Sequence, residues 1–243
     1  MNLILLEPGE ITPDGRARLH DQRARHIVNV LKALPGSQVR VGVIDSGHGV
    51  ATVIDRAAGS VTLECTIEPG EPARAAVDLL LALPRPKVLR RLWAQIAALG
   101  AAQIIVTNAE KVERNYFDTH VLTEACYRPL LVEGLQQARD TCLPVVSIHR
   151  QFKVLIEDGL DGLFPAGLRL VAHPGSDSSV IDVVRRTAHN RVLMAIGPEG
   201  GWNTFERQLL AQHGFETVGM GARTLRTDTA TIALLALAHA ALA

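Results

Sequence analysis

From Val77 onward, short apolar runs alternate with segments of helical period, and no other feature of this chain restricts its fold so strongly. The runs are Val77–Leu83, Gln103–Thr107, Pro144–Ile148, Leu168–Ala172, Arg191–Ile196 and Glu216–Met220, with helix-period stretches such as Val88–Leu99 and Phe205–His213 between most of them. Strands apolar on both faces and separated by helices predict a parallel sheet in an α/β domain. Such sheets bind ligands beyond the carboxyl ends of their strands, so the loops that follow the runs carry the most information.

The first 70 residues have a different rhythm. Gln38–Ile44 and Val50–Ile54 flank the Gly-rich connection Asp45-Ser46-Gly47-His48-Gly49, and Ser60–Ile67 alternates polar and apolar side chains. These are strand signals with a hairpin between them. A short helix is predicted over Gln22–Leu34, ended by Pro35-Gly36. Together they suggest a small β-barrel. Glu68-Pro69-Gly70-Glu71-Pro72 then breaks the chain, which predicts domains at residues 1–70 and 74–243.

Charge and cysteine content exclude several classes. Lys+Arg and Asp+Glu both total 25 in 243 residues, so the chain is not held to nucleic acid by bulk charge. Any such contact must come from local patches, and two stand out: Arg16, Arg18, Arg23 and Arg25, and Arg85, Lys87, Arg90 and Arg91. The cysteines, Cys65, Cys126 and Cys142, are too few and too scattered for a disulfide framework or a metal site. The apolar start, Met1 to Leu6, lacks a basic lead and meets Glu7-Pro8-Gly9 at once, and Ile232–Ala243 is too short to cross a bilayer. These features predict a cytoplasmic chain without a membrane span or a metal.

Two loops carry the strongest local signals. Gly197-Pro198-Glu199-Gly200-Gly201 follows a strand and precedes a helix, with Asn203 and Glu206 in reciprocal capping positions. Its glycines let the main chain approach a ligand closely. It lacks the ending of a P-loop and the spacing of a dinucleotide fold, which disfavours a nucleotide phosphate. Gly219-Met220-Gly221 closes the last strand and leads to Leu225-Arg226-Thr227-Asp228-Thr229-Ala230. Thr227 and Asp228 sit where the cap of a helix from Ala230 to Ala243 belongs, and Arg226 beside them is placed to meet an anion. That helix has almost no polar face and should be buried within the fold or against another subunit. A third loop, Ala172-His173-Pro174-Gly175, also follows a strand.

These motifs resemble the RsmE family of SPOUT methyltransferases. The likeness rests on Ile196 to Gly201 and on Met220-Gly221 through Ala230. It extends to Arg25-His26-Ile27, Val30-Leu31-Lys32 and Gly36 near the start, to Gln137, Arg139 and Pro144, and to His173-Pro174. The resemblance implies a PUA-like RNA-binding barrel followed by a knotted α/β domain with a C-terminal trefoil, a homodimer, and S-adenosylmethionine as methyl donor. The implied reaction is methylation of N3 of a uridine in 16S ribosomal RNA of the small subunit. It further implies cofactor contacts from His173, Ile196, Gly197, Pro198, Glu199, Gly200, Gly201, Met220, Gly221, Leu225 and Thr227. The chain departs from the family pattern at Ala98, Gln136 and Asp228.

Methyl transfer from a sulfonium is an in-line displacement, in which the protein aligns the partners and excludes water. Uracil N3 must lose its imide proton, and a nearby cation favours the resulting anion. Arg226 is the first candidate and Arg139 the second; no general base stands out. The substrate-binding candidates are Arg23, Arg25, Arg85 and Lys87. Two other readings remain: a SPOUT enzyme acting on another base or a ribose 2′-hydroxyl, and a non-catalytic RNA-binding assembly factor.

Overall fold

The computed structural model describes residues 3–57 and 59–243, so Met1 and Asn2 of the apolar start lie outside the described residues. The chain divides into two units. The first takes residues up to Arg74 together with Val132–Leu143, and the second Ala75–Leu131 with Pro144–Ala243.

In the first unit, β1 (Ile4–Leu6), β3 (Gln38–Val43), β4 (His48–Ala57), β5 (Ser60–Ile67) and β2 (Arg16–Leu19) form one sheet in that order. The β1–β3 pair is parallel and the others are antiparallel. Alternation puts Val39, Val41, Ala51, Val53, Val61 and Leu63 on one buried face with Leu6, Leu19 and Ile27. Helix α1 (Gln22–Asn29) starts where the Asp21 side chain accepts from the Arg23 amide. It ends at Asn29 rather than at the predicted Leu34, and beyond it Lys32 adopts a left-handed φ of 51° that a helix cannot contain.

Residues 132–143 join this unit through backbone and side-chain hydrogen bonds that no local pattern announces. The Asp45 amide donates to the Thr141 carbonyl (2.8 Å), the Thr141 hydroxyl to the Ser46 carbonyl (2.6 Å), and the Leu143 amide to the Asp45 carboxylate (2.9 Å). The predicted second region is therefore interrupted by a segment that packs on the β3–β4 hairpin.

The second unit is built as the alternating runs predict. Its strands are β6 (Val77–Ala82), β7 (Ala101–Thr107), β8 (Val145–His149), β9 (Leu168–Ala172), β10 (Val192–Ile196) and β11 (Phe215–Val218). They form a parallel sheet of order β11-β9-β10-β6-β7-β8. The central strands β6 and β10 are buried at every position, as strands covered on both faces should be. Asp78 in β6 has no exposed surface and is neutralised by Arg191 Nε at 2.6 Å; the same guanidinium lies over the Phe164 ring.

The helices are α2 (Pro86–Leu99), α3 (Glu124–Ala138), α4 (Phe152–Val154), α5 (Leu160–Leu163), α6 (Val180–Arg186), α7 (Thr204–Gln212) and α8 (Thr227–Leu242), with a π turn at Leu155–Gly159. Helix α8 packs on α2 and α6 and against β10 and β6, burying Thr231, Leu234, Leu235 and Ala238. His239 Nε2 lies 2.8 Å from the Gly100 carbonyl at the left-handed end of α2. The helix begins earlier than Ala230, and its cap is Arg226, with Thr227 its first residue. Asp228 instead accepts from the Thr229 amide and pairs with Arg91 at 3.3 Å. Among the described residues no helix is long and apolar enough to cross a membrane.

Candidate active site

The loops after β9, β10 and β11 converge on one cavity of about 300 Å³ in the second unit. This is the carboxyl rim of the parallel sheet, where backbone polar groups at strand ends are free to meet a ligand. The cavity is lined by His173 from the first loop, by Ile196 to Trp202 from the second, and by Gly219 to Gly221, Arg223 to Leu225 and Thr227 from the last. Val218, Ala230 and Leu234 add apolar wall.

Hydrogen bonds brace the loops to one another. His173 donates its amide to the Val218 carbonyl (2.9 Å), and Gly219 donates to Ser178 (2.9 Å). The Thr227 hydroxyl reaches the Gly197 carbonyl at 3.4 Å. Lys111 Nζ donates to the Gly200 carbonyl at 2.7 Å, and the Arg85 amide donates to the Glu199 carboxylate at 3.2 Å. The glycines have specific steric duties. A Cβ on Gly219 would stand 2.6 Å from the Ser176 carbonyl oxygen, and Gly221 has a φ of 100°. The first forbids a side chain through contact with backbone, the second through strain.

Glu206 holds the far side of the site. It is 3% exposed, and each carboxylate oxygen accepts a backbone amide, from Glu110 and from Asn203, both at 2.7 Å. The Asn203 side chain returns a bond from the Glu206 amide at 2.8 Å, completing the predicted capping box. The bond to Glu110 fixes the neighbour of Lys111, so one helix start positions both the Gly-rich loop and the cation that clasps it.

Burial and the nearby Arg207 push the His173 pKa below its ordinary value of 6.5, so the imidazole facing the cavity is neutral at pH 7. Trp202 is 4% exposed and lines the wall, and its indole Nε1 finds no acceptor among the described residues. A buried donor of this kind is costly unless something pairs with it.

All eleven residues that the family resemblance implies as cofactor contacts line this one cavity: His173, Ile196, Gly197, Pro198, Glu199, Gly200, Gly201, Met220, Gly221, Leu225 and Thr227. The two cations expected at the reaction centre do not line it. Arg226 is exposed at the cap of α8, between the lining residues Leu225 and Thr227. Arg139 belongs to the first unit and lines a different groove. Lys111, Trp202 and Arg223 line the cavity without a sequence signal; the first two are brought there by loop packing that no spacing encodes.

Of the substrate candidates, Arg23 is held inside the first unit. Its guanidinium donates to Glu10, to Asp21 and to the Leu5 carbonyl, and its own pKa rises further above the ordinary range. Arg25 is exposed on α1. Arg85 caps α2 and Lys87 is exposed in its first turn.

The sequence matches the family model for the RNA methyltransferase domain over residues 71–239. The chain is 31% identical to the ribosomal RNA small subunit methyltransferase E of Treponema pallidum, over 99% of this chain and 92% of that protein. It is 26% identical to a ribosomal RNA small subunit methyltransferase E of Borreliella burgdorferi, over 96% and 95% of the two chains. Among solved structures, the ribosomal RNA small subunit methyltransferase E of Neisseria gonorrhoeae, bound to S-adenosyl methionine, superposes with a TM-score of 0.76 at 19% identity, covering 97% of this chain and 95% of that one. A probable rRNA-methyltransferase from Porphyromonas gingivalis gives 0.76 at 20% identity, with 98% and 97% covered. The chain therefore belongs to the RNA methyltransferase domain family and, within it, to the ribosomal RNA small subunit methyltransferase E (RsmE) proteins.

Proposed function

We propose that this protein uses S-adenosylmethionine to methylate N3 of a uridine in 16S ribosomal RNA. The observation that carries the reading is the convergence of three strand-end loops on one cavity, cross-braced by hydrogen bonds and floored by glycine backbone. Its volume lies at the small end of ligand sites. The cavity suits the donor: apolar side chains surround open backbone, and the buried Trp202 Nε1 lacks an acceptor that a ligand can provide. The relatives named for this activity and the Neisseria gonorrhoeae protein bound to S-adenosyl methionine support the same assignment.

When bound, the donor supplies a methyl group already activated on a sulfonium. The chain's task is to hold, align and exclude water. Backbone groups of the Gly197–Gly201 and Met220–Gly221 turns would hold the donor's polar edge, and Met220 and Leu225 would supply apolar contact. His173 stays neutral and so adds no repulsion toward a cationic ligand. Arg226, exposed beside Leu225 and Thr227, would meet the uracil ring and favour the imide anion left when the N3 proton passes to solvent water. N3 lies on the pairing edge, so the target is unpaired or flipped out. Arg25, Arg85 and Lys87 contact RNA phosphates, while Arg23 braces the surface that bears Arg25.

We further take the first unit as a PUA-like barrel, the second as the trefoil-knotted domain, and the molecule as a cytoplasmic homodimer. The return of α8 from the β11 edge to β10 and β6 supports the knot. The part-exposed Ile232, Ala233 and Leu237 and the exposed Ala236 support an interface along α8.

Mass mapping of nucleosides in ribosomal RNA from a deletion strain tests the reading. Loss of N3-methyluridine, restored by the intact chain, is the expected outcome. Persistence of the signal, or loss of a ribose-methylated nucleoside instead, overturns it.

A further inference from the structure

Three charged side chains line the cavity of the second unit: Lys111, Glu199 and Arg223. Two of them meet at Gly200. Lys111 Nζ donates to the Gly200 carbonyl at 2.7 Å, and Glu199 precedes that glycine in the chain. A Cβ built on Gly200 would stand 2.7 Å from Lys111 Cδ and 3.3 Å from its Cβ, so the aliphatic stem lies along the glycine. Glu199 accepts the Arg85 amide at 3.2 Å. Both charges are thus held by backbone, and no ion pair engages either of them among the described residues. An ammonium has three protons and a carboxylate about four acceptor sites, so each keeps capacity beyond its one bond.

A cation and a carboxylate fixed on either side of one glycine, and left unjoined, are the complement of a zwitterion. An α-amino acid carries its two charges on a single carbon, which suits that spacing. The distribution of burial agrees. Lys111, Glu199 and Gly200 are exposed, whereas the lining residues Ile196, Val218 and Leu234 are buried. The cavity therefore has an apolar interior and a charged rim. S-adenosylmethionine divides in the same way, into a nucleoside and an amino-acid end. Keeping the amino-acid end at an open rim avoids the penalty of burying two charges. The volume of about 300 Å³ fits that division, with the nucleoside inside and the charged tail at the edge.

We propose that Lys111 and Glu199 grip the amino-acid end of the methyl donor. The Lys111 ammonium pairs the donor's carboxylate, and the Glu199 carboxylate takes its ammonium. This rests on the methyltransferase reading for the identity of the ligand. It gives Lys111 a part in choosing the donor, beyond its brace on Gly200. Arg223 stands on the loop after β11, away from Gly200 in the chain, and has no carboxylate beside it on that loop.

The test uses the full chain, calorimetry and two probes, S-adenosylhomocysteine and 5′-methylthioadenosine. Both are uncharged at sulfur and share the nucleoside; only the first has the amino-acid end. The quantity read is the preference, the ratio of their dissociation constants. Lys111→Met keeps a stem on Gly200 but removes the charge and the brace. Loss of the brace weakens both probes alike, whereas loss of the contact weakens only the one with a tail. The preference for S-adenosylhomocysteine should fall about fivefold, the scale of one exposed charge pair. Lys111→Arg should recover most of it. Glu199→Gln, which retains an acceptor for the Arg85 amide, should also lower the preference. In the wild type the preference should shrink as salt rises from about 0.05 to about 1 M, because charges at an open rim are screened. A preference unmoved in either neutral variant, or unmoved by salt, overturns the grip and leaves Lys111 a brace alone. A fall seen only with Arg223→Gln overturns it as well. The salt series needs no substitution, so it decides the matter if a variant fails to fold. A wild-type chain that binds neither probe overturns the underlying methyltransferase reading instead.

Discussion

His173 shows how one residue's environment shapes the site. Its pKa is depressed first by burial and then by Arg207. The unfolded imidazole takes up its proton near 6.5, the folded one only at lower pH. Stability linked to this group is therefore complete above pH 6.5 and is lost as pH falls through the folded value. A cationic donor adds a second dependence of the same sign, since a protonated His173 repels it. Donor affinity should be flat from pH 7 to 8 and should decline only at pH values below the ordinary 6.5 of an imidazole. His173→Gln should abolish the decline, as calorimetric titration across pH will show. A decline that survives the substitution assigns it to another group. The sequence marks His173 because it follows an apolar run, but its protonation state depends on burial first and on Arg207 second, and only the fold supplies either.

At the scale of elements, the start of α7 does more than cap a helix. The Asn203–Glu206 box is readable from spacing alone, yet the second oxygen of Glu206 accepts the Glu110 amide, a contact 96 positions away. Glu206→Ala strands the Glu110 and Asn203 backbone amides in a buried place, while the Asn203 side chain keeps its bond from the amide of residue 206. The expected cost is about 2–3 kcal/mol, two unsatisfied buried donors at the lower end of their usual cost. In urea the midpoint should fall with little change in slope. An unchanged midpoint would show that the carboxylate is not the fastening it resembles. The same contrast runs through the elements generally. Leu168–Ala172 and Ser60–Ile67 coincide with observed strands, because burial period and strand length are local properties. The end of α1 does not, since it is set by the conformation of Lys32 rather than by Pro35-Gly36. The docking of residues 132–143 on the β3–β4 hairpin is likewise invisible, because its bonds join positions 95 and 98 apart in the sequence, which no local pattern encodes.

For the whole molecule, the apolar composition of α8 exceeds what its packing on α2 and α6 consumes. Thr231, Leu234, Leu235 and Ala238 are buried, while Ala236 is open and Leu237 is part-open. If a second copy covers that face, Leu237→Lys should shift the protein from dimer to monomer in sedimentation equilibrium, with the sheet intact by circular dichroism. A wild-type chain sedimenting as a monomer at micromolar concentration contradicts the dimer. The cavity, by contrast, lies within the second unit, and every residue that the resemblance implies as a donor contact faces it. The individual donor contacts come from the family resemblance, while the Gly197–Gly201 and Gly219–Gly221 turns are legible because glycines at strand ends leave a pattern. Lys111 and Trp202 were not, because their places depend on how the β7 and β10 loops pack.

Calorimetric titration of the full chain with S-adenosylmethionine tests the central claim most directly. One equivalent should bind to the wild type. Gly200→Val, whose new Cβ would stand 2.7 Å from the Lys111 side chain, should abolish the heat of binding while the first unit keeps its fold. A wild type that releases no heat, or a valine variant that binds as the wild type does, would remove the methyl donor from this cavity.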